Sequence, residues 1–308
     1  MRPALATSLV LGLALPATAQ PVLRLPLDCT PGEDCFLQHY VDRDPGPGAV
    51  DWTGGSLTYD GHKGTDLRLA DLSAMRAGVP VLAPAAGIVT AVRGDMADVE
   101  MEDRAALDGR DCGNGLVLDH GDGWETQLCH LAAGSVSVAP GQSVAAGEPV
   151  GEVGLSGATQ FPHVHLSVRH DGMVVDPFVD GLWQEAPAYE PGGLMAAGFA
   201  AGVPDYQEVK AGTAAAEALP SDSPALVIWA SAFGSLQGDV VRLTFDGPDG
   251  AEAFTTDIVL ERGQAQLFRA AGRRARPGGW TAGTYAGRAV LLRDGAEIDR
   301  IATQVRIE

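Results

Sequence analysis

Residues 115–131 read GLVLDHGDGWETQLCHL, and this stretch decides the fold. Gly115-Leu116-Val117-Leu118-Asp119 is a short apolar run with β-branched content, which is a strand signal. Asp119-His120-Gly121-Asp122-Gly123-Trp124 supplies turn chemistry, and residues 125–131 return as the partner strand. Outward from this hairpin the pattern repeats. Val79-Pro80-Val81-Leu82-Ala83 and residues 87–92 read as strands before it, and 144–153 and 163–168 as strands after it. Amphipathic helices are scarce, with short ones expected only near 69–75 and 194–199. The chain is expected to be mainly β and antiparallel.

Two stretches break the pattern. Residues 95–111 (DMADVEMEDRAALDGRD) carry seven acids and two arginines without strand periodicity, and read as an exposed acidic insertion. Residues 187–224 are rich in Ala, Gly and Pro and read as a linker. Beyond it, strands at 225–229, 240–245, 258–260, 289–292 and 301–307 recur at the spacing of a β-sandwich. Gly283-Thr284-Tyr285 resembles the tyrosine corner of immunoglobulin-like domains, so an immunoglobulin-like sandwich over 225–308 is expected. This region has neither Cys nor His. Docking a partner, recognising a wall polymer and packing against the preceding domain all fit its residues, and packing is the default.

At 308 residues the chain is long enough for about two domains. A hydrophobic fraction of 45% excludes a disordered chain. A formal charge of -19 excludes duplex nucleic acid and an anionic membrane surface as partners. Arg2, the apolar run 4–15 and Ala17-Thr18-Ala19 are the three parts of a secretory signal peptide, with cleavage expected after Ala19. The run falls short of the roughly 20 residues of a spanning helix. An exported protein without a membrane anchor is expected, in the periplasm in preference to secretion, because no wall-sorting motif or wall-binding repeat is present.

Four cysteines allow three pairings, and proximity favours Cys29 with Cys35 and Cys112 with Cys129. A zinc site of four thiolates is the rival, but neither pair has the close spacing of a zinc knuckle. The first disulfide would staple an N-terminal segment, 20–50, ahead of a domain spanning 51–186.

Chemistry collects in the histidines. His62-Lys63-Gly64-Thr65-Asp66 sets an imidazole and a carboxylate four residues apart, with Gly61 and Gly64 pointing to a loop in which they converge. His163-Val164-His165 lies in an expected strand, so both imidazoles face one side. Two His and one Asp suit a catalytic zinc with its fourth position open. Each motif also fits an ordinary surface or strand pair, and the residues alone leave both readings open.

Residues 61–178 resemble the lysostaphin-type zinc metallopeptidases, which cleave peptidoglycan crosslinks. The matching segments are His62-Lys-Gly-Thr-Asp66-Leu, Gly78-Val-Pro-Val-Leu-Ala-Pro with Gly87-Ile-Val, Gly113-Asn-Gly-Leu-Val-Leu-Asp-His-Gly-Asp-Gly, Cys129-His130-Leu131, Val150-Gly-Glu-Val-Gly and Pro162-His163-Val164-His165-Leu166. The resemblance implies an antiparallel core with a groove over one Zn2+. It implies His62, Asp66 and His165 as ligands, and His130 and His163 as non-ligating catalytic histidines. It also implies hydrolysis of peptidoglycan stem-peptide crosslinks by metal-activated water. A non-catalytic wall-binding or amidase-regulating module and a secreted zinc protease acting on proteins are the alternatives. No residue identifies a regulatory partner. The acidic insertion would lie beside the groove, either narrowing access or as a solvated loop. Leu128 stands where the family often has Tyr, a departure that bears on rate. Leu166 and Ser167 stand where it often has an aromatic and Glu, a change expected on the far side of the strand. His39, His120 and His170 are read as turn or surface groups.

Overall fold

The structure, a computed structural model, describes residues 20–308. The expected signal peptide 1–19 lies outside the described residues. Residues 20–183 build one sheet-based domain. Its strands are β1 (Cys35–His39), β2 (Thr65–Leu69), β3 (Pro80–Leu82), β4 (Gly87–Arg93), β5 (Asn114–Gly121), β6 (Trp124–Leu131), β7 (Ser143–Val144), β8 (Pro149–Glu152), β9 (His163–His170) and β10 (Met173–Val175). The main sheet runs β1-β2-β9-β6-β5-β4-β7, with β10 beside β9 and a separate β3-β8 pair. Every pairing in this domain's named strands is antiparallel. The hairpin β5–β6 forms as expected around Asp122, whose φ of 50° is the left-handed conformation that Asp tolerates in turns.

Among the described residues, helix is confined to short pieces. Helix α1 (Leu72–Arg76) is capped by Asp71, whose side chain accepts from the Ala74 N–H at 2.9 Å. The acidic insertion holds one 3-10 turn, Arg104–Leu107, and is tied down rather than free. Asp98 accepts from the N–H groups of Ala133 and Leu155, both at 2.8 Å.

The N-terminal segment is integral to this domain. Leu23, Leu27, Leu37 and Tyr40 share one buried core with Leu67, Leu118 and Val164. Cys29 is joined to Cys35 and Cys112 to Cys129. Loops of these lengths give about 2–3 kcal/mol each in the chain-entropy picture.

The remaining strands form two facing sheets. β11 (Gly193–Ala200), β13 (Ala225–Ser235) and β16 (Gln264–Arg274) make the first. The second, ordered β12-β18-β17-β14-β15, comprises β12 (Ala218–Leu219), β14 (Val240–Asp246), β15 (Glu252–Val259), β17 (Gly283–Arg293) and β18 (Ala296–Ile307). Leu194, Phe199, Ile228, Leu243, Phe245 and Leu291 fill the space between them. Tyr285 is buried there, edge-on to Phe245 and Trp280.

Two expectations fail here. Residues 187–224 are not a linker, since they contain β11, helix α2 (Tyr206–Ala211) and β12. Residues 194–199 form a strand rather than a helix. Their small side chains serve close packing: a Cβ on Gly198 would lie 2.9 Å from the Trp229 ring on the paired strand β13.

The two domains touch through Phe36 of β1 and Phe233 of β13, whose rings lie 5.7 Å apart beside Met195. Nearby, Glu190 Oε2 accepts the Leu37 N–H at 3.2 Å. Burial, with Asp299 adding to it, pushes the Glu190 carboxyl up to about 7. The folded chain therefore keeps a proton that the unfolded chain releases near pH 4.3. This contribution is complete below that pH and is lost as pH rises through about 7. Denaturation midpoints across this window should fall more steeply for the wild type than for Glu190→Gln, and parallel curves would exclude the assignment.

Candidate metal centre and active site

Strands β2 and β9 place three side chains by register alone. Asp66 lies opposite His165, and Arg68 opposite His163. Directly opposed residues share a face, as do residues two apart, so Asp66, His163 and His165 project together. Val164 points into the core and is fully buried. His62 enters from the loop before β2, where its Nδ1–H donates to the Tyr40 carbonyl at 2.7 Å. That bond fixes the tautomer and leaves Nε2 facing the cluster.

The contacts are close. His62 Nε2 lies 3.2 Å from Asp66 Oδ1 and 3.2 Å from His165 Nδ1, and His165 Nδ1 lies 2.7 Å from Asp66 Oδ1. One ligand atom from each of the three residues falls within 4.8 Å of the others. Gly64 is required for space, not for a left-handed backbone: a Cβ there would sit 2.5 Å from His165 Nε2 and from the Leu166 carbonyl oxygen.

His130 reaches the same site by a different device. Cys129 is opposite His165, so simple alternation would turn His130 to the other face. A bulge between β5 and β6 intervenes, and His130 adopts φ 65°, a left-handed conformation uncommon for a non-glycine residue. Its ring then lies 4.6 Å from that of His163. The His130 Nδ1–H donates to the Ser156 carbonyl at 2.8 Å, and the His163 Nδ1–H to the Phe161 carbonyl at 3.0 Å. His163 Nε2 faces Asp66 Oδ1 at 3.5 Å.

Burial and proximity set the charges. Burial opposes charge on Asp66, but His62, His163 and the hydrogen bonds from His165 and His39 outweigh it and hold the carboxyl well below its usual range. Burial also opposes charge on His62, and Asp66 overrides it, raising that imidazole. Burial pushes His163 down to about 4. Burial, with His163 and His165 nearby, drives His130 well below its ordinary value. The three facing donors thus suit a divalent cation, while the two flanking imidazoles are neutral.

The five side chains expected at the site are therefore gathered in one place. They line or adjoin a groove of about 510 Å³ that Tyr59, Arg104, Asp111, Gln127 and Arg169 also border. The acidic insertion contributes Arg104 and Asp111, which pair at 2.6 Å.

Three readings from sequence need correction. Ser167 is not on the far side of its strand: it is two residues from His165, shares its face, and lies 2.9 Å from His165 Nε2. His39 is not a surface group, being buried with Nδ1 3.0 Å from Asp66 Oδ2. His120 is partly buried and bonds the Ala86 carbonyl and Thr126, whereas His170 stays at the surface beside a turn, as expected, stacked on Trp124. Alternation within residues 163–168 carried the signal for Ser167, whereas no local motif marks His39.

The family described as Peptidase family M23 matches residues 60–177. A Haemophilus influenzae protein described as an uncharacterized metalloprotease is 29% identical over 116 residues, covering 38% of this chain and 20% of that protein. The DD-carboxypeptidase/endopeptidase Mpg of Neisseria meningitidis serogroup B is 40% identical over 65 residues, covering 21% of this chain and 14% of that protein. The chain thus spans a fifth or less of the length of these relatives. The catalytic domain of the antimicrobial peptidase lysostaphin from Staphylococcus simulans aligns over 46% of this chain and 91% of its own, with 21% identity and a TM-score of 0.30.

Proposed function

Residues 60–177 are a domain of peptidase family M23, the lysostaphin type, and from that premise we propose an exported zinc endopeptidase that hydrolyses peptide crosslinks of peptidoglycan. The observation that carries this reading is the convergence of His62, Asp66 and His165 in the groove, with His130 and His163 beside them. The donor set fits zinc: two imidazole nitrogens and one carboxylate oxygen, with the outer nitrogens of both histidines already hydrogen-bonded. His62 Nε2, Asp66 Oδ1 and His165 Nδ1 would hold the ion. Zinc bound there would polarise the scissile carbonyl and bring the pKa of a water molecule down towards about 7.

The chain's own groups handle the proton. His130 and His163 each donate Nδ1–H to a backbone carbonyl, which leaves Nε2 free to accept. One takes the proton of the attacking water and returns it to the departing amine. The imidazolium so formed donates to the oxyanion while it holds that proton, and the other imidazole accepts from the water to orient it. The Phe161 ring, stacked on His163 at 4.4 Å, holds that imidazole in place. A peptidoglycan substrate is supported by the similarity to the Neisseria DD-carboxypeptidase/endopeptidase and by the expected signal peptide in 1–19. The same signal favours the periplasm.

Incubation with defined, crosslinked peptidoglycan and mass spectrometry of the released muropeptides tests the reading. Uncrosslinked stem peptides are expected without chelator, none with it, and recovery on adding zinc. Release that ignores the chelator, or no release at any zinc concentration, would overturn it.

A further inference from the structure

We propose that His39 is a positioning residue for the Asp66 carboxylate, delivered by an N-terminal strand outside the 60–177 family match. The proposal rests on the zinc reading above.

The strand register carries it. β1 pairs with β2 as Cys35 with Leu69, Phe36 with Arg68 and Leu37 with Leu67. Continued regularly, this would set Gln38 opposite Asp66. A bulge skips Gln38 and sets His39 there instead. Bulges beside functional sites commonly re-aim a side chain, and here the re-aimed side chain meets a candidate ligand.

The contact is directional. A carboxylate offered to a cation is ionised and only accepts, so His39 Nδ1–H donates to Asp66 Oδ2 across 3.0 Å. Asp66 Oδ1 is the oxygen that faces His62 and His165. His39 thereby occupies the outer oxygen and fixes which one is offered to the cluster. Asp66 is almost completely buried, so without this donor Oδ2 would be a desolvated, unpartnered acceptor. The His39 ring is held edge-on against Tyr59 at 5.3 Å. The adjacent residue, Tyr40, supplies the carbonyl that orients His62. Residues 39 and 40 therefore brace two of the three candidate ligands from the end of one strand and the residue after it, and the first residue of that strand is disulfide-bonded to Cys29.

Zinc affinity of the whole exported chain, measured by competition with a chromogenic chelator, tests the assignment. His39→Ala should weaken zinc by about 10–100-fold, as outer-shell partners of metal ligands do. His39→Asn, which keeps an amide donor near the Nδ1 position, should recover most of that loss. Thermal melts of the zinc-free proteins establish that each variant folds. His39→Leu, which keeps bulk without a donor, replaces His39→Ala should the alanine chain not fold, with the same loss expected. Zinc binding by the donorless variant as tight as wild type overturns the proposal alone, as does an Asn variant that folds yet binds no better than Ala. A wild-type chain that takes up no zinc overturns both this proposal and the zinc reading.

Discussion

A His165→Ala chain is expected to lose its zinc and its hydrolytic activity together. Structural zinc sites with four protein ligands bind with about 10–16 kcal/mol, so one ligand accounts for roughly 3–4 kcal/mol, or about 10²–10³ in affinity. Here three protein atoms converge among the described residues, so each removal takes a third of that donor set. His62→Ala and Asp66→Ala should behave alike, for different reasons. Removing His62 leaves the Tyr40 carbonyl without its 2.7 Å donor, whereas removing Asp66 leaves four histidines facing one another without their shared acceptor. Asp66→Ala should therefore be the most damaging to the zinc-free fold as well. Elemental analysis after dialysis against buffered zinc is the measurement. Stoichiometric zinc in all three variants would remove the basis for this centre.

The difference between what local sequence reveals and what it hides follows from how each residue reaches the site. His62 with Asp66 and His163 with His165 are each joined by a short spacing, and a strand's period of two is enough to put His163 and His165 on one face. Ser167 obeys the same period, and the expectation that it lies on the far side failed for not applying it. His130 is not legible from that period, because a regular β6 would turn it away. Only the left-handed backbone at the bulge brings it in, and in sequence it was reached through family resemblance. His39 depends on a second bulge, at Gln38, in a strand that pairs with residues about thirty positions later. Bulges are settled by the partner strand and leave little trace in the bulged strand's own residues. The stretch 187–224 misleads for a related reason. Its Ala and Gly residues resemble linker composition, yet Gly198 is small because Trp229 lies against it. Alternation was clear in the exposed strands of the second domain and weak in β11, which is buried along most of its length.

His163→Ala and His130→Ala should separate metal binding from turnover. Neither side chain belongs to the trio within 4.8 Å, so zinc content should stay near wild type. Positioned acid–base groups contribute about 10²–10⁴ in rate, and each variant should fall in kcat by that range with a smaller change in KM. His163 sits nearest the cluster, with Nε2 3.5 Å from Asp66 Oδ1, and its loss should cost the more. The double variant distinguishes shared from separate roles. The rings lie 4.6 Å apart and both are anchored through Nδ1, an arrangement suited to passing one proton between water and leaving amine. A shared step predicts that removing both slows hydrolysis little more than removing His163 alone. Independent contributions would multiply instead, to roughly 10⁴–10⁸. Steady-state kinetics on a purified crosslinked muropeptide, at equal zinc occupancy, decides between the two. A double variant with wild-type turnover would mean that neither imidazole takes part, and that the hydrolytic work falls to groups outside this pair.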